Sequence, residues 1–134
     1  VYKVSRFKED LEPELLFDEE DVYYVVASTD LKKVYAYSYA EQTLYYIKNS
    51  KKAVTISDEA ESVAFNNVDG KVYFVADEEL YEAKTSDSSK KKVSIDGDVY
   101  SVSSSTKGVM AFAEDGGDYT CYAIGKKLVT VYEN

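Results

Sequence analysis

Short stretches of related sequence recur along the chain in a fixed order, and this repetition constrains the fold more than any other feature. One of them places a tyrosine after an apolar residue and appears four times: VYKV at 1–4, LYYI at 44–47, LYEA at 80–83 and CYAI at 121–124. Each is followed, after a polar turn, by a second apolar stretch. Two more stretches precede them three times, and the later one begins at Val34, Val72 and Val109, so the repeat is about 38 residues long.

The recurring stretches have the composition of short β-strands. Each contains four to six residues, mainly Val, Ile, Tyr and Phe, and lies between Asp, Gly, Asn, Ser or Lys residues, which predicts strands joined by turns. Asp69-Gly70 and Lys107-Gly108 occupy matching places, and an Asp-Gly pair is typical of a primed hairpin turn. A helical turn near Pro13 is the alternative for residues 10–16, but the proline and the repeat favour a turn followed by a strand.

Four strands in about 38 residues predict one blade of a β-propeller. Apolar residues lie on both faces of the strands, as expected when each blade packs between two neighbours. We therefore expect an all-β fold, a β-propeller fragment of about three and a half four-stranded antiparallel blades. The predicted units are a half-blade at 1–20 and blades at 21–60, 61–98 and 99–134. Because closed propellers have more blades, we expect the outer faces to pack against further blades or to self-associate.

Composition excludes several classes of function. The formal net charge is −9, which disfavours nucleic acid and anionic membranes as partners. The chain has one arginine, one cysteine and no histidine, so the commonest general base, the commonest metal ligand and a disulfide are missing. No apolar run is long enough to cross a membrane. The segment starts at Val1 with no leader, so we expect any secretion signal or anchor either to lie outside it or not to exist.

Tyrosines are concentrated in residues 33–48, which contain five of them. Tyr35, Tyr37 and Tyr45 match apolar or aromatic residues in the other repeats, so packing explains them. Tyr39 falls where Asp77 and Glu114 stand, and Tyr46 where the other repeats have Lys3, Glu82 and Ala123. Strand alternation puts Tyr39 and Tyr46 on one face with Tyr35 and Tyr37, so Tyr39 and Tyr46 are the candidate ligand-binding residues, for a sugar or a peptide.

The other chemically suggestive residues have structural explanations. We expect Tyr2, Tyr45, Tyr81 and Tyr122 in the core because they repeat, and Cys121 as a small buried apolar residue rather than a nucleophile. Lysine clusters before the fourth strands are expected to protect sheet edges. The acidic turns at 96–98 and 114–118 do not have the spacing of a calcium loop. No catalytic residue, metal ligand or cofactor is predicted.

The segment at 71–96, KVYFVADEELYEAKTSDSSKKKVSID, resembles bacterial propeller repeats of the DUF5050 type, which are related to YWTD propellers and more distantly to TolB-like ones. The matching features are an aromatic strand ending at Asp77, the Leu80-Tyr81 pair and a Val/Ile strand after a polar turn. Unlike YWTD repeats, the chain has no tryptophan. The resemblance implies a protein of Gram-positive bacteria, extracellular or on the cell surface, and brings no catalytic motif.

The predicted function is a non-catalytic binding or scaffold module whose ligand is a protein or a surface glycan. Two alternatives remain open. The first is that the propeller is an accessory domain of an enzyme whose catalytic part lies outside this segment. The second is that it is a purely structural spacer.

Overall fold

Antiparallel strands account for most of the chain that the structure describes. The computed structural model describes residues 2–3, 14–15, 24–49, 52–85 and 87–133. The short strands β1 (Tyr2–Lys3) and β2 (Glu14–Leu15) pair with each other. The rest of the predicted half-blade at 1–20 lies outside the described residues.

Three four-stranded sheets, named here the first, second and third blade, follow in chain order. The first contains β3 (Tyr24–Ala27), β4 (Val34–Ser38), β5 (Thr43–Asn49) and β6 (Lys52–Ser57). The second contains β7 (Ser62–Asn66), β8 (Lys71–Ala76), β9 (Glu79–Ala83) and β10 (Lys91–Val93), with a 3-10 turn at Asp87–Ser89 before β10. The third contains β11 (Asp98–Ser105), β12 (Gly108–Asp115), β13 (Asp118–Ile124) and β14 (Leu128–Glu133).

The blades stack as propeller blades do. Within each blade the strands are hydrogen-bonded in chain order and are antiparallel to their neighbours. The first strands of adjacent blades lie side by side: the Ser62 hydroxyl contacts the Val102 nitrogen and oxygen at 3.0 and 3.1 Å, and the Tyr24 hydroxyl donates to the Val63 carbonyl at 3.3 Å. The all-β, propeller-type prediction is confirmed, and the described blades form an open row rather than a closed ring.

Apolar side chains fill both spaces between the blades. Between the first and second blades, Tyr35, Tyr37 and Leu44 pack against Phe65 and Phe74. Between the second and third blades the side chains are smaller, and they include the following residues: Val75, Leu80, Val102, Ala111 and Ile124. The strands β7 and β8 therefore bury alternate residues on opposite sides, which explains why their sequences are apolar almost throughout.

The turns differ in part from those expected. The predicted hairpin at Asp69-Gly70 is present, but its loop has four residues, 67–70, and only Gly70 has a positive φ, of 77°. The Asn66 side chain accepts hydrogen bonds from the Val68 and Asp69 amides, at 2.9 and 3.2 Å, and so holds the longer loop. The two-residue primed turn of this blade is instead Asp77-Glu78, with φ of 50° and 61° and no glycine.

The repeated tyrosines are buried to different degrees. Tyr122 is buried, whereas Tyr45 and Tyr81 are half-buried and pack against core clusters. The side chain of Tyr2 lies outside the described residues. Cys121, expected to be buried, is half-buried because it lies on the outward side of the third blade, where the described chain places no further blade over it.

Candidate binding surface on the third blade

The structure separates the two tyrosines predicted to bind a ligand. Tyr46 is directly opposite Tyr35 in the sheet, is half-buried, and packs on the Tyr35 ring with a centroid distance of 5.4 Å. Tyr39 lies in the turn after β4 and is 64% exposed. The paired residues Tyr37 and Leu44 lie between them along the strands. Tyr46 therefore belongs to the junction with the second blade, and Tyr39 alone is open to solvent; a binding role for the pair stays a prediction.

The outward side of the third blade carries two rows of side chains that the sequence did not single out. Residues directly opposite one another in a sheet share a face, so the register of the strands defines each row. The first row is Ser101, Phe112, Cys121 and Tyr132. The second row is Ser103, Met110, Ala123 and Val129. These eight residues are called the third-blade face below.

The central residues of the first row have counterparts in the other two blades that the next blade buries. Tyr37 and Leu44 in the first blade, and Val75 and Leu80 in the second, hold the places that Phe112 and Cys121 hold in the third. Tyr37 is 1% exposed, and the Leu44, Val75 and Leu80 side chains are fully buried. Phe112 and Cys121 are only half-buried, and Tyr132 at the end of their row is 57% exposed.

Ser101 extends the comparison to hydrogen bonding. Its strand position matches Tyr24 and Ser62, since all three are paired with the same place on the second strand. Tyr24 and Ser62 each use a hydroxyl to hold the first strand of the next blade. Within the described chain the Ser101 hydroxyl has no such partner. The third-blade face therefore has the apolar row and the hydroxyl that the other blades use for docking.

One end of the third blade departs from the other two. Val75 and Leu80 are five positions apart, whereas Phe112 and Cys121, which hold the same places, are nine apart. The additional residues lengthen the β12–β13 hairpin by two residue pairs, up to Asp115 opposite Asp118. The lengthened end, formed by residues 98–100 and 113–120, is called the aromatic extension below.

Two exposed tyrosines meet on the aromatic extension. Tyr100, at a bulge in β11, is 52% exposed, and Tyr119 is 50% exposed. Their rings are 6.5 Å apart in an edge-on arrangement, and the Phe112 ring is 6.4 Å from that of Tyr100. Neither tyrosine was predicted from the sequence, because an alignment of the repeats on their core residues hides the difference in hairpin length between them. The hairpin length was the signal from which the two tyrosines could have been found.

One cleft of the described chain is lined by acidic side chains. The acidic cleft beside β13, of about 490 Å³, contains Asp96, Asp115, Asp118 and Glu133, but nowhere in the described ranges do three or more metal-binding side chains converge on one point. Burial raises the pKa of the Cys121 thiol, which favours the unreactive neutral form.

Tyr73 contributes a buried polar network in the second blade. Its hydroxyl donates to an Asp69 carboxylate oxygen and lies 3.1 Å from Glu82 Oε2, and Glu82 pairs with Lys71 at 2.9 Å. Burial and the two carboxylates raise the pKa of Tyr73. The members of this network satisfy one another, which is the pattern of a structural network.

Comparison with known proteins adds no assignment. No protein-family model matches the chain, and no curated protein is similar to it in sequence at a significant level. No helix in the part of the chain that the structure describes is both long and apolar enough to cross a membrane.

Proposed function

We propose that the chain is a non-catalytic binding or scaffold module of a bacterial propeller protein of the DUF5050 type, and that its ligand is a protein docked on the third-blade face. The resemblance of residues 71–96 to those repeats supports the bacterial source and a location outside the cell or on its surface. The observation that supports docking is that Phe112 and Cys121 are only half-buried, whereas the residues in the same places of both preceding blades are buried.

Stacked blades suit this role because they hold a surface in a fixed shape. The third blade is anchored to the second through the Ser62–Val102 contacts and a shared apolar cluster. A docking surface fixed in this way loses little conformational freedom on binding. The absence of histidine from the sequence supports a non-catalytic module. In the isolated chain the protein expected on this face is a second copy of the chain, which would bury the row.

Light scattering of the isolated chain tests the docking face. We expect the average mass of the wild type to rise with concentration, because association buries Tyr132 and Val129. A Val129→Glu/Tyr132→Glu variant should stay monomeric, since two carboxylates would enter an apolar contact worth about 1.5–3 kcal/mol per side chain. Val68→Glu, at an exposed apolar residue of the second blade, is the matched control and should associate like the wild type. A wild type that is monomeric at every concentration, or a double variant that associates equally well, would contradict the proposal.

A further inference from the structure

At the turns that correspond to the aromatic extension, the next blade contacts the backbone, as where the Val99 amide donates to the Glu78 carbonyl at 2.9 Å, but it leaves the side chains exposed. The residues at the corresponding turns of the other blades show this, because a following blade is present there. Tyr39 in the first blade and Asp77 and Glu78 in the second are exposed although the next blade packs on the adjoining row. Glu61, which directly precedes β7 and corresponds to Tyr100, is exposed as well. Tyr100 and Tyr119 therefore stay accessible whether or not the third-blade face is occupied.

The strand register places two acidic residues, Asp98 and Glu114, beside the two rings. Asp98 is directly opposite Glu114, and Glu114 is directly opposite Tyr119, so these three residues form one row across three strands. Like charges placed opposite each other destabilise a sheet. The two ion pairs of the described chain, Lys71–Glu82 and Lys92–Glu79, both lie in the second blade, so neither compensates the carboxylates of this row.

Exposed aromatic faces beside carboxylates suit a cationic side chain. A lysine or arginine over a tyrosine ring gains from the negative face of the ring, and the neighbouring carboxylates add a favourable charge interaction. A contact of this kind is present in the described chain, where Lys90 Nζ lies 5.8 Å from the centre of the Tyr81 ring. The formal net charge of −9 would also attract a basic partner at a distance.

We propose that the aromatic extension binds a basic segment of a protein partner, with a lysine or arginine side chain over Tyr100 and Tyr119 and its charge next to Asp98 and Glu114. This inference rests on the proposed role as a binding module. It adds a second surface, separate from the third-blade face, and it specifies the charge of the ligand.

Fluorescence anisotropy with a labelled peptide of alternating arginine and glycine tests the proposal. The full chain is used at low concentration, and peptides with glutamate or serine in place of arginine are the ligand controls. We expect the arginine peptide alone to bind, with an affinity that falls as salt is added. Tyr100→Leu/Tyr119→Leu should weaken binding about fivefold to thirtyfold, the ratio expected from losing two exposed cation–π contacts.

Two further variants separate the rings from the charge. Glu114→Gln keeps an acceptor for the Gly117 amide, which is 2.8 Å from Glu114 Oε1, and it should weaken binding and reduce its salt dependence. Val68→Ala removes an exposed apolar side chain from the second blade and should bind like the wild type. Circular dichroism checks that each variant is folded.

Several results would overturn the inference: no binding to the wild type, equal binding of the serine peptide, or unchanged affinity in the Tyr100/Tyr119 variant. Binding of a neutral oligosaccharide such as maltopentaose in place of the arginine peptide would overturn it in favour of a glycan site. Because light scattering reports on Val129 and Tyr132, a chain that self-associates but does not bind the arginine peptide refutes only this inference.

Discussion

Asn66 connects the second blade to the third, and its replacement should destabilise the fold strongly. The side chain is fully buried, and its amide nitrogen donates to the carbonyls of Ile124 and Gly125 at 2.9 and 3.0 Å. Its oxygen accepts from the amides of Val68 and Asp69. One side chain thus holds its own turn and the turn between the last two strands of the next blade.

The expected loss of stability depends on which of the former hydrogen-bonding partners water can reach once the Asn66 side chain is removed. In Asn66→Ala, the two turn amides lie near the surface, so water can replace their partner at a loss of about 0.5–1.5 kcal/mol per hydrogen bond. The Ile124 carbonyl is buried, and leaving such a group without its partner costs about 1–3 kcal/mol. We expect Asn66→Ala to lower the free energy of unfolding by about 2–6 kcal/mol in all.

Urea unfolding followed by far-ultraviolet circular dichroism measures this loss, and two other variants locate its origin. Asn66→Asp keeps the acceptor for the turn but replaces the donor with an oxygen facing two carbonyls, so it should destabilise at least as much as alanine. Asn67→Ala removes only an exposed contact to the Thr29 amide and should have an effect below about 1 kcal/mol. A loss below about 1 kcal/mol for Asn66→Ala would refute the assignment of Asn66 as the link between the blades.

Two further predictions concern the backbone and pH. Gly108→Ala should destabilise the fold by about 3 kcal/mol or more, because φ is 131° and an added Cβ would lie 2.0 Å from the Ile124 carbonyl oxygen. The control Gly116→Ala, at a φ of 58° with open space around it, should cost only about 1 kcal/mol. Equal losses of the two variants in urea unfolding would contradict this prediction. Burial, with smaller contributions from Tyr24, Tyr39 and Glu61, raises the pKa of Tyr37 to about 12. Its contribution to stability should therefore be complete below the unfolded-state pKa of about 10 and fall as pH rises through about 12, and unfolding of Tyr37→Phe should show a weaker pH dependence over that range.

The strands and their order could be predicted from sequence because their signal is local. Alternating apolar residues and β-branched or aromatic side chains predict β8 and β9 as strands whatever their position in the fold. The repeat length then leaves few possible architectures. Turn geometry was less predictable. The loop at 67–70 depends on a side chain, Asn66, that also reaches the next blade, and the primed turn at Asp77-Glu78 forms without the glycine that usually indicates it.

The candidate site was harder to predict because exposure depends on neighbours. Tyr46 and Tyr132 are both tyrosines in predicted strands, but Tyr46 packs on Tyr35 at a junction between blades, and Tyr132 lies on a face that the described chain leaves open. A departure from the repeat pattern drew attention to Tyr39 and Tyr46. The exposed rings that lie together are those of Tyr100 and Tyr119, and the departure that brings them together is the greater length of the β12–β13 hairpin.

The sequence by itself determined the all-β class, the order of the strands and the repeating blade, because each follows from side-chain patterns within a few residues. Only the tertiary structure decided which faces are covered, since burial of a residue such as Phe112 depends on whether another blade packs over it. It also decided that Tyr100 and Tyr119 meet, because their contact depends on the β11–β12–β13 register rather than on their separation in the chain.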